Sequence, residues 1–533
     1  MQAPFARTLI ELVREQAELR PQAMALACAQ GRFSYRDLAD RAVKVAGALQ
    51  ASGVKHGDRV GLLLGNCVEW LDVCLGAGAV GATAVPLSTW STRSELAFLL
   101  PDAKLSVLVA SPRFGDHDFA ASLAALQDTP GVPTADRIWL LGRSAASLAC
   151  YEDIINNAPV FELLPPGQAA SAGDDALVLY TSGSTSAPKA VPLAHFAVIE
   201  NAFNIGERQG LTSQDRVLLS SPLFWAFGSA NALPATFSHG ATLVLMEKFD
   251  AALALQTIAR EQCTAIYTLP AMSAAMAHHP SYNRQQLTSL RTGVTIGSPE
   301  EFLFAVDKLG IAGLCNIYGA TETCGNCAVT WHHWPAQRRA YSQGPPLPGQ
   351  EMRFVDEATG AIVPKGTPGL AEVRGYTTRG YSGDSSAQNT KAFTADGFYR
   401  TGDMGLLNAD GDFVFVGRVS EMIKRAGINV SPAEVEAVLR RHLSVKDAAV
   451  VGVPDAARGE RIFAYVVPNA ASEFDVNTLL RHCATESSKY KMPDHIEACT
   501  SLPLTVTGKL QRNELKQMAI QRAMALAAAA PAP

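Results

Sequence analysis

Long apolar runs are missing from this sequence. Its 533 residues contain no stretch of the ~18 uninterrupted apolar residues that a helix needs to cross a bilayer. The N-terminal stretch MQAPFARTLIELVREQAELR combines an early arginine with acidic side chains in an amphipathic helical pattern. This pattern predicts a helix and not a signal or transit peptide. We therefore expect a cytoplasmic protein with no transmembrane segment.

An excess of basic charge is missing as well. The formal net charge is −5 and the sequence pI is about 6.1, which gives no positive field for nucleic acid or anionic lipid. The 10 cysteines are scattered along a long chain, a pattern typical of reduced cytoplasmic thiols and not of a disulfide scaffold. We therefore expect small-molecule partners and no nucleic acid, with a homodimer left open.

One cysteine pair has the spacing of a functional motif. Cys324 and Cys327 form a CxxC that is followed by His332 and His333. The spacing is compatible with a redox pair or with half of a zinc site. A second CxxC is missing from the sequence, and so is the strand and helix context of a thioredoxin-type motif. The pattern therefore favours packing or loop cysteines over metal or redox chemistry.

Strand-like and helix-like segments alternate along the chain. The apolar run RVGLLLGN precedes the helical pattern VEWLDVCLGAGAVGA, and ATLVLM, AIYTL and LCNIYG each lie next to a helix-length segment. Such alternation is typical of parallel sheets covered by helices, so the predicted fold class is α/β. Because a single core rarely grows to 533 residues, we expect two or more domains.

The pattern changes towards the C-terminal end. Residues 345–417 contain short strands split by glycine and proline, which predicts a small antiparallel or barrel-like unit. The remainder has the helices and strands of a small α+β domain, with a boundary near Ser420. We predict an N-terminal domain over residues 1–419, a C-terminal domain over residues 420–533, and a disordered tail in residues 523–533.

The stretch LYTSGSTSAPKAVPL, between two apolar runs, is rich in hydroxyl groups. Backbone N–H groups of a glycine-rich turn, together with hydroxyls, can surround phosphate oxygens, and Lys189 adds a positive charge. The Walker pattern is absent, because Ala187 and Pro188 precede the lysine and Ala190 follows it. Taken alone, the loop is equally compatible with a polar surface turn.

Four further motifs follow this loop, in the order IYGATET, YRTGDMG, GRVSEMIKRAGINVSPAEVE and TVTGKLQR. Together with TSGSTSAPKAV, they resemble the acyl-adenylate-forming (AMP-binding) superfamily of acyl-CoA synthetases, adenylation domains and luciferases. The resemblance runs essentially end to end and is closest to the fatty-acyl and aryl CoA ligases. It implies a ligase that converts a carboxylic acid and ATP into acyl-AMP and pyrophosphate. The acyl group then passes to coenzyme A, and AMP leaves.

The resemblance implies a role for each motif in the nucleotide site. Glu322 would hold Mg²⁺ and, with Thr321 at the α-phosphate, would be catalytic. Tyr318 would stack on adenine, while Asp403 and Arg418 would bind the ribose hydroxyls. Singly, Glu322, Asp403 and Arg418 also fit a solvated acid, a turn former and an ion-pair partner. The other implied nucleotide contacts are Thr181, Ser182, Gly183, Ser184, Thr185, Lys189, Thr295, Ile296 and Gly319.

The C-terminal motifs imply a mobile domain. Lys509 would enter the site as a catalytic residue and bridge the acyl carboxylate and the α-phosphate. For the second step the domain would turn about a hinge at Ser420, where the family usually has Asp or Lys. Lys424 and Gly427 would then line the path of the coenzyme A thiol. Ala426 replaces one of the two glycines that the family often has there.

The acid would be recognised around the stretch SPLFWAFGSANALP. The family commonly has His at the position of Trp225, and Ala226, Phe227 and Asn231 would face the acyl group, with Val294 in the opposite wall. Core packing is the alternative for Trp225 and Phe227. No cationic side chain stands out for a second carboxylate. We therefore expect a monocarboxylic acid with a fatty, aryl or alicyclic tail.

Two other functions stay open at this point. An acyl-AMP ligase or a luciferase-like enzyme would make the same adenylate but deliver it to a carrier-protein thiol or to oxygen. A silent nucleotide-binding protein would carry out no reaction. The sequence shows no carrier domain and retains Lys189, Glu322, Asp403, Arg418 and Lys509, so we favour the acid–CoA ligase.

Overall fold

The chain divides into two compact units. The computed structural model describes residues 8–142, 148–161, 170–181, 188–383, 386–425, 428–455, 458–469, 474–487, 491–504 and 510–529. The larger unit comprises Met1–Arg353, Glu372–Arg400 and Asp410–Phe413, and the smaller one comprises Phe354–Ala371, Thr401–Ala409 and Val414–Pro533. The limits that the sequence predicts for the domains stay predictions.

An eight-stranded sheet lies in the larger unit. Its inner strands pair in parallel, with Val217 opposite Leu243 and Val294 opposite Cys315, while the strand at each edge pairs antiparallel. The parallel interior confirms the α/β class predicted from the alternation of strands and helices. In spatial order the strands are Ala328–Val329, Gly313–Tyr318, Thr292–Thr295, Ala265–Tyr267, Arg216–Leu219, Thr242–Leu245, Met24–Cys28 and Gly31–Ser34.

A seven-stranded sheet forms the second layer of strands in this unit. It is parallel from Asp175–Thr181 onwards, and Lys189–Ala194 joins its edge as the antiparallel arm of a hairpin. In spatial order the strands are Lys189–Ala194, Asp175–Thr181, Thr83–Pro86, Arg59–Leu63, Val107–Ala110, Ile138–Leu140 and Ala149–Cys150. Two short strands, Arg113–Phe114 and His117–Asp118, form a separate hairpin.

Side-chain caps set the starts of several helices in the larger unit. The side chains of four cap residues each accept a hydrogen bond from a backbone N–H in the first turn. In turn, an acidic side chain in that turn accepts a hydrogen bond from the backbone N–H of the cap residue. The cap residues are Thr8, Ser34, Thr92 and Ser298. The α-helices are Leu9–Leu19, Tyr35–Ala51, Val68–Ala79, Arg93–Ala103, Phe119–Ala125, Tyr151–Asn156, His195–Gln209, Leu233–Ser238, Ala251–Glu261, Pro270–Ala277, Pro299–Leu309, Ala336–Ala340 and Ser386–Ala392. Short 3₁₀ turns lie at Ala135–Arg137, Arg284–Leu287 and Thr321–Thr323.

Helix Val68–Ala79 is buried on nearly all sides, and it packs closely on Tyr35–Ala51. A Cβ atom on Gly76 would lie 2.8 Å from Cβ of Val45, so only glycine permits this approach. The two helices contribute to the large hydrophobic core of this unit. Residues of the neighbouring parallel strands belong to the same core, so the helices and strands pack as one layer on another.

The smaller unit has the α+β composition predicted for the C-terminal region. Its sheet runs in the order Ile428–Val430, Ile423–Arg425, Gly459–Pro468, Val445–Asp455, and His495–Ala498 pairs with Gly459–Pro468. The helices are Pro432–Arg440, Val476–Glu486 and Arg512–Ala529. The last helix continues to Ala529, which differs from the disordered tail expected from residue 523, because alanine has the highest helix propensity.

Four strands in chain order make up a further sheet. They are Glu351–Val355, Gly369–Arg374, Tyr399–Leu407 and Phe413–Arg418. They lie where the sequence predicts short strands, and a barrel shape for residues 345–417 stays a prediction. Within the part of the chain that is described, no helix combines the length and apolar character needed to cross a bilayer.

Candidate active site

Several predicted site residues lie at one edge of the eight-stranded sheet. Thr295 and Tyr318 are the last residues of neighbouring parallel strands, and Leu219 and Tyr267 end the next two. In open α/β sheets, ligands bind beyond the carboxyl ends of the strands. The segment that contains Trp225 begins at Ser221, two residues after Leu219. The fold thus brings the predicted adenine and acyl segments to the same edge.

Lys189 is held at the base of a hairpin. It begins the strand Lys189–Ala194 and pairs directly with Thr181 at the end of the preceding strand. Residues 182–187 connect the two strands and lie outside the described residues, so the predicted contacts of Ser182, Gly183, Ser184 and Thr185 stay predictions. The antiparallel register fixes the two ends of the predicted phosphate loop.

Glu322 is presented by a tight turn after the strand Gly313–Tyr318. A Cβ atom on Gly319 would lie 2.2 Å from the carbonyl oxygen of Gly325, so the chain needs glycine there. The following 3₁₀ turn, Thr321–Thr323, carries Glu322, whose exposed fraction is 8%. The backbone oxygen of Glu322 also accepts a hydrogen bond from Thr378 N at 2.7 Å. A nearly buried carboxylate is thereby held at the edge of the sheet.

Tyr381 connects the lysine of the hairpin with this carboxylate. Its hydroxyl donates a hydrogen bond to Glu322 Oε1 at 2.9 Å, and Lys189 Nζ lies 4.7 Å from the centroid of its ring. The next residue, Ser382, donates its backbone N–H to Ala190 O at 3.0 Å. The structure therefore brings together Lys189 and Glu322, which are separate motifs in the sequence, through a residue that sequence reasoning missed.

Tyr399 completes this cluster of polar groups. Burial, followed by the negative charge of Glu322, raises the pKa of Tyr399 and of Tyr381. Both hydroxyls therefore stay protonated at neutral pH and can donate hydrogen bonds. Tyr399 is the first residue of the motif YRTGDMG, so the motif itself was an available signal. Tyr381 carried no such signal.

Tyr318, the predicted adenine-stacking residue, packs against Phe413. The two ring centroids lie 4.3 Å apart at an interplanar angle of 41°. Only 8% of Tyr318 is exposed. Phe413 was not foreseen from the sequence, and it supports the ring that is expected to meet the base.

Aromatic side chains surround the predicted acyl segment. Trp225 makes an edge contact with Trp90 at a centroid distance of 5.2 Å, and Phe227 lies 5.1 Å from Tyr267. Trp225 and Phe227 are half-buried, and Ala226 is buried. Trp90 could not be selected from its neighbours in the sequence, because it lies far from this segment along the chain. Aromatic rings supply large apolar surfaces for a ligand.

Asn231 lies in a π-helical turn, Phe227–Ala232, of the same segment. Such turns are rare and occur often at functional sites. Its side chain is 1% exposed, and both Nδ2 and Oδ1 lack a hydrogen-bond partner among the described residues. A Cβ atom on Gly325 would lie 2.4 Å from Nδ2, so glycine lets the amide approach the turn after Glu322. The amide keeps its full hydrogen-bonding capacity.

The predicted opposite wall is only partly at the surface. Val294 is fully buried in the large core and Thr295 is 1% exposed, whereas Ile296 is 37% exposed. Ile296 is therefore accessible to a ligand in the conformation described, and a contact between the acid and Val294 stays a prediction.

Asp403 and Arg418 meet within the smaller unit. Arg418 Nε lies 3.2 Å from Asp403 Oδ1, and the exposed fractions of their side chains are 60% and 7%, respectively. Ser420 lies in the 3₁₀ turn Val419–Glu421. Lys424 is exposed in the strand Ile423–Arg425, with Nζ 3.8 Å from Glu357 Oε1. The residues Gly427 and Lys509 lie outside the described residues.

The CxxC cysteines are core residues of the larger unit. Cys324 and Cys327 are fully buried free thiols, and burial raises the pKa of Cys324 to about 12. His332 points a ring nitrogen at Arg208 O, 3.1 Å away. No group of three or more metal-ligating side chains occurs among the described residues. Both thiols have the burial of packing cysteines, and Cys324 also has their high pKa.

Two family models cover most of the sequence. The model described as AMP-binding enzyme matches residues 13–382, and the model of the AMP-binding enzyme C-terminal domain matches residues 434–509. The chain belongs to the AMP-binding enzyme family.

Similar proteins extend the match to nearly the whole chain. Indoleacetate–CoA ligase of Aromatoleum aromaticum is 32% identical over 518 residues, covering 96% of this chain and 98% of that protein. The anthranilate CoA ligase AuaEII in complex with anthranoyl-AMP has a TM-score of 0.86 at 27% identity, covering 98% of this chain and 100% of that one. ATP-bound MatB from Rhodopseudomonas palustris has a TM-score of 0.84 at 26% identity, covering 95% and 99%. These comparisons support acid–CoA ligase activity and do not favour carrier-protein loading.

Proposed function

We propose that this AMP-binding enzyme is an AMP-forming acid–CoA ligase. It joins a carboxylic acid to AMP with release of pyrophosphate, and then transfers the acyl group to coenzyme A with release of AMP. The observation that carries the proposal is the contact of Lys189 and Glu322 with one tyrosine, Tyr381. The contact brings a cation from one motif and an anion from another to the same place. An enzyme that binds ATP with a metal ion needs both charges in one site.

The site is suited to Mg²⁺, which we propose as the cofactor. Glu322 offers hard carboxylate oxygens, which Mg²⁺ prefers together with phosphate oxygens. Its Oε1 is oriented by the hydroxyl of Tyr381 at 2.9 Å, as expected for an acid that is held for a ligand. When bound, the metal would offset the negative charge of the phosphates.

The chain's own groups can account for the first step. Lys189 and the loop from Thr181 hold the β- and γ-phosphates, and Thr321 donates to the α-phosphate. Tyr318 contacts adenine, with Gly319, Thr295 and Ile296 along the base. Lys509 stabilises the charge that develops where the carboxylate attacks.

The smaller unit contributes the remaining groups of this proposal. Asp403 accepts hydrogen bonds from the two ribose hydroxyls, and Arg418, which lies 3.2 Å away, donates to the same sugar. A rotation at Ser420 then exchanges Lys509 for the segment with Lys424 and Gly427, which guides the thiol of coenzyme A. Hinge positions need only a backbone that tolerates a dihedral change.

We further propose an aromatic monocarboxylic acid whose tail carries a hydrogen-bonding group. Trp90, Trp225, Phe227 and Tyr267 give the acyl segment flat apolar surfaces. Asn231 adds a buried amide with an unused donor and an unused acceptor. An acid that satisfies this amide is favoured over one that leaves it unpaired.

A pyrophosphate-release assay over fatty, benzoic, phenylacetic, indole-type and alicyclic acids tests this function. We expect release with aromatic acids that carry an N–H or O–H group, and thioester formation when coenzyme A is added. Adenylate that accumulates without thioester in the presence of coenzyme A would contradict the ligase and favour carrier loading. Because ATP and coenzyme A are cytoplasmic substrates and all 10 cysteines are free, we place the reaction in the cytoplasm.

A further inference from the structure

Tyr381 contacts a cation and an anion at the same time. Its hydroxyl donates to Glu322 Oε1 at 2.9 Å, while Lys189 Nζ lies 4.7 Å from the centroid of its ring. We propose that Tyr381 is a positioning residue for adenylation, which keeps Lys189 and Glu322 apart so that each remains available to ATP or its metal. This inference rests on the proposed function, because it concerns the same site.

Separation of these two charges matters for ATP binding. Lys189 and Glu322 form no direct ion pair in the described part of the chain. A direct pair would compete with phosphate for the ammonium and with a metal ion for the carboxylate. The tyrosine ring attracts the ammonium through its π-electrons without neutralising it. The hydroxyl occupies only one of the acceptor positions of the carboxylate.

Neighbouring residues fix Tyr381 independently of the two charges. Tyr381 N donates to Asn389 Oδ1 at 2.8 Å, and Asn389 Nδ2 donates to Tyr381 O at 3.1 Å. Ser382 N donates to Ala190 O at 3.0 Å, directly beside Lys189 in sequence. The side chain of Tyr381 is 6% exposed. The ring is therefore placed by its backbone, and it can position Lys189 and Glu322.

Two substitutions separate this role from ordinary core packing. Tyr381→Phe keeps the ring and its burial but removes the hydrogen bond to Glu322. Tyr381→Leu removes the ring face as well, so that Lys189 can move to Glu322. If Tyr381 served packing alone, both variants would change thermal stability, and ATP binding would fall only with the folded fraction.

The first measurement is the dissociation constant of ATP in the absence of Mg²⁺, obtained by calorimetric titration of the folded protein. We expect Tyr381→Leu to weaken binding about fivefold, because Lys189 becomes paired, while Tyr381→Phe stays within about twofold of the wild type. The second measurement is the rate of pyrophosphate release with Mg²⁺. There we expect Tyr381→Phe to lower kcat about tenfold with little change in KM for the acid, because Glu322 loses its orienting bond.

Tyr35→Phe is the matched control for loss of a buried hydroxyl. Tyr35 is fully buried, and its hydroxyl donates to Ala241 O at 2.6 Å in the core. We expect this variant to lose stability and to bind ATP like the wild type.

The inference is overturned if both Tyr381 variants bind ATP and release pyrophosphate like the wild type, or if Tyr35→Phe reproduces their losses. The ATP titration needs no acid, so it decides the role of Tyr381 even if no acid in the panel releases pyrophosphate. Failure with every acid would count against the proposed function alone.

Discussion

The buried amide of Asn231 has the cost of an unsatisfied polar group. Leaving a buried donor or acceptor unpaired costs about 1–3 kcal/mol, and both polar atoms of Asn231 lack a partner among the described residues. The chain retains this amide in a rare π-helical turn, beside two half-buried aromatic rings. A ligand that supplies both partners recovers part of that cost. The acid, more than the protein, is expected to satisfy Asn231.

Asn231→Leu tests this expectation at nearly constant volume. Acids with a hydrogen-bonding tail should lose about tenfold or more in kcat/KM, because about 1.4 kcal/mol of selective binding is removed. Acids without such a group should be nearly unaffected. The measurement is kcat/KM for matched pairs of acids that differ in one N–H or O–H group. An equal change for both members of each pair would show that Asn231 does not select the tail.

The predictability of individual residues depended on whether their signal is local. Lys189, Glu322 and Asp403 lie in motifs with characteristic glycines and hydroxyls, so the sequence alone marks them as candidate site residues. Tyr381 reaches Glu322 across 59 positions, and nothing in RGYSGD indicates this contact. The unpaired state of the Asn231 amide depends on every neighbouring atom. The contact of Tyr381 and the unpaired amide of Asn231 therefore depend on the packing of distant segments, which the motifs do not specify.

The positions of strands and helices along the chain could be predicted better than the order of the strands in the sheets. Apolar runs predicted several of the strands, as RVGLLLGN did for Arg59–Leu63, and capping residues determine several helix starts. The order of strands within each sheet was beyond reach. Neighbours such as Met24–Cys28 and Thr242–Leu245 pair across more than half of the larger unit, and sequence periodicity carries no record of which strands meet.

The first helix is joined to a later helix through a buried histidine. Leu9 N, in the first turn of Leu9–Leu19, donates to His195 Nδ1 at 3.2 Å. His195 begins the helix His195–Gln209 and is 2% exposed. Burial lowers the pKa of His195 to about 4, despite the opposing effect of Asp174. The neutral ring must accept this hydrogen bond, so protonation would break it.

Acid should therefore destabilise the larger unit through His195. Below its ordinary pKa of about 6.5 the unfolded chain binds a proton that the folded chain does not, until the pH reaches about 4. The free energy of unfolding should fall by about 3 kcal/mol at most, because each unit of pKa difference contributes 1.36 kcal/mol. Urea unfolding of the wild type and of His195→Gln between pH 7 and 4 measures it. The difference in free energy of unfolding between the two proteins should shrink as the pH falls. A difference that stays constant with pH would contradict the prediction.

At the scale of the whole molecule, the two half-reactions should respond differently to one lysine. The resemblance assigns Lys509 to adenylation alone. Lys509→Ala should raise the barrier of adenylation by about 3 kcal/mol, as for loss of a preorganised charge stabiliser. Thioester formation from a supplied acyl-adenylate should be retained. Single-turnover assays of each half-reaction provide the measurement.

Lys516→Ala is the matched control for this experiment. Lys516 lies in the same part of the chain and pairs with Glu460 at 2.9 Å. Its replacement should leave both half-reactions close to the wild-type rates. Equal losses of both half-reactions in Lys509→Ala would argue against alternation of the C-terminal domain.

The hairpin that carries Lys189 would allow the predicted phosphate loop to be replaced. Thr181 pairs with Lys189, and the next pairs along the hairpin, Tyr180 with Ala190 and Leu179 with Val191, hold these two anchor points in the sheet. Doubling the length of a flexible loop costs only about 0.6 kcal/mol. Loops of other lengths and compositions could therefore be grafted between these anchors without moving the lysine. The handling of the β- and γ-phosphates could then be altered by engineering while the sheet stays intact.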